Sequence, residues 1–150
     1  MHEKLISIVI PAFNESENIP KIVLAIENLF EQLPYRYEII MVADGCTDNT
    51  MDKIQELLST NKQLYYIEFS RNFGHQNALK AGLDHSNGDC VISLDCDMQH
   101  PPEIIPEMLA KWELGYEVVY TIRKEDKRLP VNKRVTSKLS TRWTTIHDTN

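Results

Sequence analysis

The sequence predicts an α/β protein built on a mostly parallel sheet with helices on both faces. Short β-branched apolar segments alternate with amphipathic segments of about 10–15 residues along nearly the whole chain. Parallel strands need such crossovers, and helices on both faces of the sheet then give a three-layer, Rossmann-like arrangement. The 150 residues, 42% of them hydrophobic and 25% charged, fit a single globular domain with a sizeable core.

Each element has its own local signal. Five apolar segments predict strands, at 5–11, 37–44, 64–70, 89–95 and 117–123. The segments between them predict helices, one capped by Ser16 or Asn18, one capped by Thr47 or Asp48, one over 72–86, and one from Pro102 to Gly115. Beyond Lys124 the sequence turns polar, with a further helix predicted near 131–146.

Composition argues against several classes of protein. No apolar run approaches the roughly 18 residues of a membrane helix, and the N-terminal apolar run is better interpreted as a strand than as a signal peptide. The three cysteines have no C-x-x-C spacing, which favours a reducing compartment and argues against a disulfide framework or a zinc knuckle. The loop after the first strand contains no glycine, so the dinucleotide cradle is absent, and no P-loop motif occurs.

Charge is distributed unevenly along the chain. Residues 1–120 carry 8 basic and 19 acidic side chains, whereas residues 121–150 carry 8 basic and 3 acidic ones. A basic end on an acidic body predicts contact with phosphate groups or an anionic membrane face. A solvated helix surface explains the same pattern, and charge alone does not separate the two interpretations.

Polar side chains follow four of the predicted strands. Because the carboxyl ends of parallel strands share one edge of the sheet, these residues are expected to converge where such sheets bind ligands. In chain order they are Asn14, Glu15, Asp44, Arg71, Asn72, Asp95 and Asp97.

Asp95 and Asp97 form a D-x-D pair at the end of an apolar strand. The turn that follows lets both carboxylates approach one ion, and Mg²⁺ or Mn²⁺ is the cation that such oxygen ligands share with substrate phosphates. The alternative is a helix cap in a solvated turn. Asp44 accepts from a nucleotide base or ribose, or else caps the next helix, and Arg71 clamps a phosphate or pairs with an acid.

Longer stretches resemble glycosyltransferase family 2, in particular its polyprenyl-phosphate branch, which includes enzymes like dolichol-phosphate mannose synthase and bactoprenol glucosyltransferase. The similar stretches are ISIVIPAFNESENI (6–19), VADGCTDNT (42–50), SRNFGHQNALKAGLDHSNGD (70–89), SLDCDMQHPPEIIPEM (93–108), GYEVVYTIRKEDKR (115–128) and KRVTSKL (133–139). They cover nearly the whole chain, and RNFGHQ and D-x-D-x-Q-x-P-P-E are far more specific than a lone D-x-D.

The resemblance implies a GT-A fold and an inverting transfer of a hexose from a nucleoside diphosphate sugar, UDP rather than GDP, to a polyprenyl phosphate. By position, Pro11, Ala12, Asn14, Glu15, Asp44 and Arg71 lie at the nucleotide, and Asp95 and Asp97 hold the diphosphate and a Mg²⁺ or Mn²⁺ ion. Asp97, Gln99 and Arg123 are the expected catalytic residues, with Lys124 and Arg128 on phosphates and Arg134 and Ser137 as helpers.

The chain departs from the family pattern at Ala43 and Cys46, where an acidic residue or Asn and a Ser are usual. By the same resemblance we expect residues 1–123 to form the nucleotide-sugar-binding core, and the basic segment 124–150 to lead towards an acceptor portion and membrane helices beyond residue 150. The full-length protein is then expected at the cytoplasmic face of the membrane, and the 150-residue chain as a soluble core.

Two other functions fit the same motifs. One is a family 2 enzyme that elongates a glycan on a sugar hydroxyl, for which a carboxylate base is needed. The other is a module that binds a nucleotide sugar without turnover. We expect no nucleic-acid partner, and a homo-oligomer is compatible with the sequence.

Overall fold

The computed structural model describes residues 3–120, which contain a four-stranded parallel sheet with helices on both faces. The strands are β1 (Leu5–Ala12), β2 (Arg36–Ala43), β3 (Leu64–Glu68) and β4 (Cys90–Ser93). The helices are α1 (Ile19–Phe30), α2 (Thr50–Leu58), α3 (His75–Asp84) and α4 (Ile105–Glu113), the last preceded by a 3₁₀ turn at Pro102–Ile104. The predicted fold class is confirmed.

The strand order is β3-β2-β1-β4, which places β1 beside the point where the chain reverses its direction across the sheet. From β1 the chain moves outward through β2 to β3, and it then returns to pair β4 with the other side of β1. In open parallel sheets such a reversal leaves a crevice outside the carboxyl ends of the two strands. The crevice here lies between the ends of β1 and β4.

The larger part of the core lies on one face of the sheet. Because side chains alternate along a strand, Ile6, Ile8 and Ile10 of β1 all point to this face, and none of them is exposed. Helices α1, α2 and α4 cover them with their own apolar faces, including Ile22, Ile54, Ile105 and Leu109.

Helix α3 covers the opposite face and packs very closely on the sheet. Its Gly82 lies so near β1 that a Cβ atom there would come within 2.2 Å of Val9 Cγ1. Ala78, one turn earlier, packs with Ile40 and Val42 of β2. Small residues on the inner face of α3 therefore fix how deeply this helix seats, and so fix the position of its N-terminal end.

A buried polar cluster that could not be predicted from the sequence joins β1, β2 and the loop before β4. Ser7 Oγ donates to Glu38 Oε1 at 2.5 Å, and the same carboxylate oxygen accepts from the backbone N–H of Asn87 at 2.8 Å. The backbone N–H of Gly88 in turn donates to Ser7 Oγ at 2.8 Å. Because Ser7 and Glu38 are both buried, these bonds satisfy groups that would otherwise lose water without compensation.

Two predicted elements need correction. The helix predicted over 72–86 begins only at His75, because Asn72–Gly74 form a loop in which Gly74 has φ +93°. The strand predicted over 117–123 is not present in residues 117–120, where Val118 is 78% exposed and has no neighbouring strand among the described residues. Its remaining residues, and the helix predicted near 131–146, lie outside the described range.

The predicted helix caps were also only partly right. Asn18 stands at the N-cap of α1 without a capping hydrogen bond from its side chain, which bonds Glu15 instead. The N-cap of α2 is Asn49 rather than Thr47 or Asp48, although Asp48 Oδ1 accepts from the backbone N–H of Thr50, the first residue of the helix, at 3.0 Å.

Candidate functional site

A cavity of about 350 Å³ opens in the crevice between the ends of β1 and β4. Its volume lies within the range typical of small-molecule sites. Seven residues predicted from the sequence line it: Pro11, Ala12, Glu15, Asp44, Asn72, Asp95 and Asp97. Phe13, His75, Ala78 and Cys96 complete the lining. The expected convergence of polar residues on this edge of the sheet is therefore observed.

The side chains of Asp95 and Asp97 reach the cavity because the alternation of buried and exposed side chains continues for a few residues beyond β4. Both carboxylates are exposed, whereas Cys96 between them is only 3% exposed and packs into the core. One oxygen of Asp97 accepts from the backbone N–H of Gln99 at 3.0 Å, and Met98 has φ +60°, so the chain turns sharply at this point. This turn orients Asp97 beside Asp95.

Asp44 lies buried at the first cavity, where it accepts hydrogen bonds that could not be predicted from the sequence. Its Oδ1 accepts from the backbone N–H of Phe73 at 2.7 Å, and its Oδ2 accepts from that of Gly74 at 3.0 Å. The carboxylate therefore fixes the loop that leads into α3. It does not cap α2, which was one of its two predicted roles, because Asp48 is the residue that bonds the start of that helix.

The loops after β1 and β2 are tied to each other by side chains. Asn14, in the left-handed region at φ +54°, accepts from the backbone N–H of Thr47 at 2.8 Å. Thr50 Oγ1 accepts from the backbone N–H of Glu15 at 2.8 Å, which holds Glu15 at the cavity wall. Burial alone would raise the pKa of Asp48, but hydrogen bonds from Thr50 and Ser16 outweigh burial and lower it.

A second, more open cavity of about 620 Å³ adjoins the first and shares Phe13 and Asn72 with it. Arg71 lines this second cavity, and its guanidinium lies 4.7 Å from the ring centroid of Phe73. Gly45 lies against the backbone of Arg71 in the lining of this cavity. Its φ is +63°, and a Cβ there would lie 2.2 Å from the backbone carbon of Arg71. Only glycine lets these two loops approach so closely.

The structure does not bring every predicted residue to the first cavity. Asn14 bonds the neighbouring loop, Arg71 lines the second cavity, and Gln99 lies in the turn after Asp97 without lining either one. The predicted phosphate ligands and helpers lie outside the described residues: Arg123, Lys124, Arg128, Arg134 and Ser137.

The donors at the first cavity fit a hard divalent cation that also binds a ligand from outside the protein. Asp95 and Asp97 supply carboxylate oxygens, the donors that Mg²⁺ and Mn²⁺ prefer. Burial, helped by nearby carboxylates, raises the pKa of the Cys96 thiol to about 12, and its side chain packs into the core. Within residues 3–120 no three His, Cys, Asp or Glu side chains form a complete metal site. A cation at this place would therefore need further ligands, which the oxygens of a phosphate can supply.

Sequence reasoning missed His75 and Phe13 as lining residues. Phe13 lies in the loop after β1 and His75 is the first residue of α3, and the two meet at the cavity only when the sheet is assembled. The local signal that could have found His75 is its place in the RNFGHQ stretch at 71–76.

The profile of the Glycosyl transferase family 2 domain matches residues 7–149. The chain belongs to glycosyltransferase family 2. Two curated relatives agree with this assignment. An uncharacterized glycosyltransferase from Synechocystis is 38% identical over 134 residues, covering 89% of this chain and 42% of the relative. The uncharacterized glycosyltransferase YkcC of Bacillus subtilis is 40% identical over 121 residues, covering 81% of this chain and 38% of the relative. The chain thus spans about two fifths of the length of these relatives.

Solved structures show that the fold is GT-A. A mannosyltransferase from Pyrobaculum calidifontis, solved with GDP-Man and Mn²⁺, matches with a TM-score of 0.63 at 24% identity, covering 79% of this chain and 34% of that one. Glucosyl-3-phosphoglycerate synthase from Mycobacterium tuberculosis, solved with UDP, matches with a TM-score of 0.57 at 23% identity, covering 76% and 41%. Among the helices within residues 3–120, none is long and apolar enough to cross a membrane.

Proposed function

We propose that this family 2 chain carries the donor site of an inverting glycosyltransferase. The full protein would transfer a hexose from a nucleoside diphosphate sugar, UDP-linked rather than GDP-linked, to a polyprenyl phosphate at the cytoplasmic face of the membrane. The observation that carries the proposal is that Pro11, Ala12, Glu15, Asp44, Asp95 and Asp97 line one cavity at the reversal point of the sheet.

We assign each of the two adjoining cavities to a different part of the donor. The diphosphate and sugar lie in the first, next to Asp95 and Asp97, and the nucleoside lies in the second, next to Phe13 and Arg71. Phe13 is 45% exposed, so its ring offers a free apolar surface to a base. Support for the lipid acceptor comes from the basic segment that begins at Arg123, whose Lys124 and Arg128 would contact phosphates.

The proposed reaction breaks the bond between the anomeric carbon and the β-phosphate oxygen as an oxygen of the acceptor phosphate bonds the opposite face of that carbon. A phosphate monoester is already ionised near neutral pH, so the site needs no strong general base. Mg²⁺ or Mn²⁺ held by Asp95 and Asp97 would neutralise the charge that develops on the leaving diphosphate. Gln99 follows these carboxylates closely in the chain and is assigned to the sugar, while Arg123 is assigned to the leaving phosphate.

A thermal-shift panel tests the donor site. Because a ligand that binds only the folded state raises the unfolding temperature, UDP, GDP, UDP-glucose and GDP-mannose are compared, each with Mn²⁺ and with a chelator. The expected result is a metal-dependent increase with the uridine compounds. No increase with any of the four would contradict a donor site in this chain.

A transfer assay on the full-length protein tests the acceptor. With the donor found in the panel, a polyprenyl phosphate is compared with a sugar carrying only free hydroxyls. Product on the lipid phosphate is expected, and product on the hydroxyl acceptor alone would support the glycan-elongating function instead. Nucleotide-sugar binding without product on either acceptor would indicate a binding module without turnover.

A further inference from the structure

His75 is the first residue of α3, and its imidazole lies near the Asp95 carboxylate of the D-x-D pair in the first cavity. Its Nε2 lies 4.0 Å from Asp95 Oδ1, and its side chain is 53% exposed. A separation of 4.0 Å is too long for a hydrogen bond. The ring therefore reaches the cavity without a hydrogen bond to Asp95.

The position of His75 is set by the backbone before it. Asp44 accepts from the backbone N–H groups of Phe73 and Gly74, and Asn77 Nδ2 donates to the carbonyl oxygen of Phe73 at 2.7 Å. Gly74, at φ +93°, then turns the chain into the helix. Three contacts thus fix the residues next to His75, so its ring is presented to the cavity by a rigid segment.

Most charged side chains at the first cavity are acidic, so a phosphate bound there would need a hydrogen-bond donor from the protein. Four carboxylic acids line it, namely Glu15, Asp44, Asp95 and Asp97. Among the described residues that line this cavity, His75 carries the only basic side chain. A diphosphate placed there would need N–H donors as well as a cation, since phosphate oxygens accept hydrogen bonds and bind charged or polar donors strongly.

We propose that His75 Nε2–H donates a hydrogen bond to a β-phosphate oxygen of the nucleoside diphosphate. This inference rests on the proposed function, because it takes the nucleotide-sugar site as given. His75 would then stabilise the same group that departs during transfer, and it would help to hold the product nucleotide until release.

Nucleotides that differ by one phosphate provide the test. UDP carries the β-phosphate and UMP lacks it, so the ratio of their dissociation constants isolates contacts to that group. Calorimetry in Mn²⁺ compares UDP with UMP, and GDP with GMP, on the wild-type chain and on His75→Ala. A hydrogen bond to a charged group predicts that His75→Ala weakens diphosphate binding about tenfold to hundredfold and leaves monophosphate binding unchanged.

Two further variants show whether the effect belongs to the imidazole. Gln76→Ala changes the next residue of α3, which is exposed and lines neither cavity, and it is expected to bind like the wild type. His75→Gln keeps an N–H donor at similar reach, and it should recover part of the lost affinity for the diphosphate. An unliganded unfolding temperature close to that of the wild type would establish that His75→Ala folds.

The possible failures are distinct from one another. A wild-type chain that binds none of the four nucleotides would contradict the proposed function itself. A wild-type chain that binds a diphosphate as tightly as His75→Ala would contradict only the assignment of His75. Equal weakening of diphosphate and monophosphate binding would overturn it too, because His75 would then merely shape the loop.

Discussion

Asp44 and Gly74 are joined by a hydrogen bond of 3.0 Å from the backbone N–H of Gly74 to Asp44 Oδ2, although 30 residues separate them in the chain. The other carboxylate oxygen accepts from the neighbouring N–H of Phe73. Asp44 is only 3% exposed, so water cannot easily replace either bond. The end of β2 is therefore bonded to the residues just before α3, and both segments contribute to the lining of the first cavity.

Asp44→Asn tests that link with little change in side-chain shape. The new amide keeps one carbonyl acceptor but turns an NH₂ group towards a backbone N–H, which leaves buried donors without partners. We expect unfolding to become easier by about 1–3 kcal/mol. Chemical denaturation measures this change.

The matched control is Asp52→Asn, which alters an exposed acid on α2 and should change the free energy of unfolding by less than about 0.5 kcal/mol. Equal stability of Asp44→Asn and the wild type would show that water or a small backbone shift satisfies the loop amides instead.

Gly82 provides a test of the packing that seats α3. Alanine is the better helix former by about 1 kcal/mol, so Gly82→Ala would stabilise a solvent-facing helix. Here its Cβ would lie 2.2 Å from Val9 Cγ1, a contact that forces the helix or the strand to move. We expect Gly82→Ala to lower stability by about 1–3 kcal/mol, the usual effect of overpacking.

The double variant Val9→Ala with Gly82→Ala shows whether this contact is the cause. Val9→Ala alone leaves a small cavity and is destabilising. If the two side chains compete for the same space, the double variant loses less stability than the sum of the single ones, and denaturant titrations of all four proteins give that coupling energy. Strict additivity would mean that the effect of Gly82→Ala arises elsewhere.

The sequence was sufficient for strands β1 to β4, for helices α1 to α4 apart from their limits, and for the convergence of polar residues, because these follow from local patterns and parallel topology. Alternating apolar positions such as Ile6, Ile8 and Ile10 predict a strand, and parallel topology then places Asp44 and Asp95 at one edge of the sheet. The identity of the family was also accessible, since the motifs at 70–89 and 93–108 are specific.

What the sequence could not provide are contacts between residues far apart in the chain. The pairing of Ser7 with Glu38 depends on the register of β1 against β2, and the role of Gly45 depends on the approach of Arg71 from another loop. His75 was missed for the same reason. The start of α3 could not be predicted from local sequence either. Asp44 accepts hydrogen bonds from the backbone N–H groups of Phe73 and Gly74, and these bonds hold residues 72–74 in a loop despite their helical sequence pattern.

The hydrogen bonds of Asp48 are expected to make the free energy of unfolding depend on pH. Its hydrogen bonds lower its pKa in the folded state below the ordinary value of 3.8. The carboxylate therefore stabilises the fold fully above that ordinary value, and this contribution is lost as the pH falls below it through the lowered folded-state value. The free energy of unfolding of Asp48→Ala should differ most from that of the wild type near pH 7, and the difference should narrow by about pH 2.

Denaturant titrations of both proteins across that pH range measure the effect, with Glu17→Ala as the control. Glu17 is exposed and lies in the same loop region as Ser16, which bonds Asp48. Its difference from the wild type should stay small at every pH. A difference for Asp48→Ala that stays constant or grows towards acid would contradict the assignment of the hydrogen bonds.

Asp97→Ala tests the cation site most directly. Both D-x-D carboxylates are exposed, so the substitution removes an oxygen ligand without opening the core, and it relieves repulsion from Asp95. We expect an unliganded unfolding temperature close to that of the wild type, together with loss of the part of nucleotide binding that depends on Mn²⁺. Calorimetry of UDP and GDP with Mn²⁺ and with a chelator separates that part from the rest.

Glu103→Ala, which removes an exposed carboxylate that lines neither cavity, should keep the full metal dependence. Unchanged metal-dependent affinity in Asp97→Ala would mean that Asp97 merely orients the turn through Gln99 and that the cation lies elsewhere.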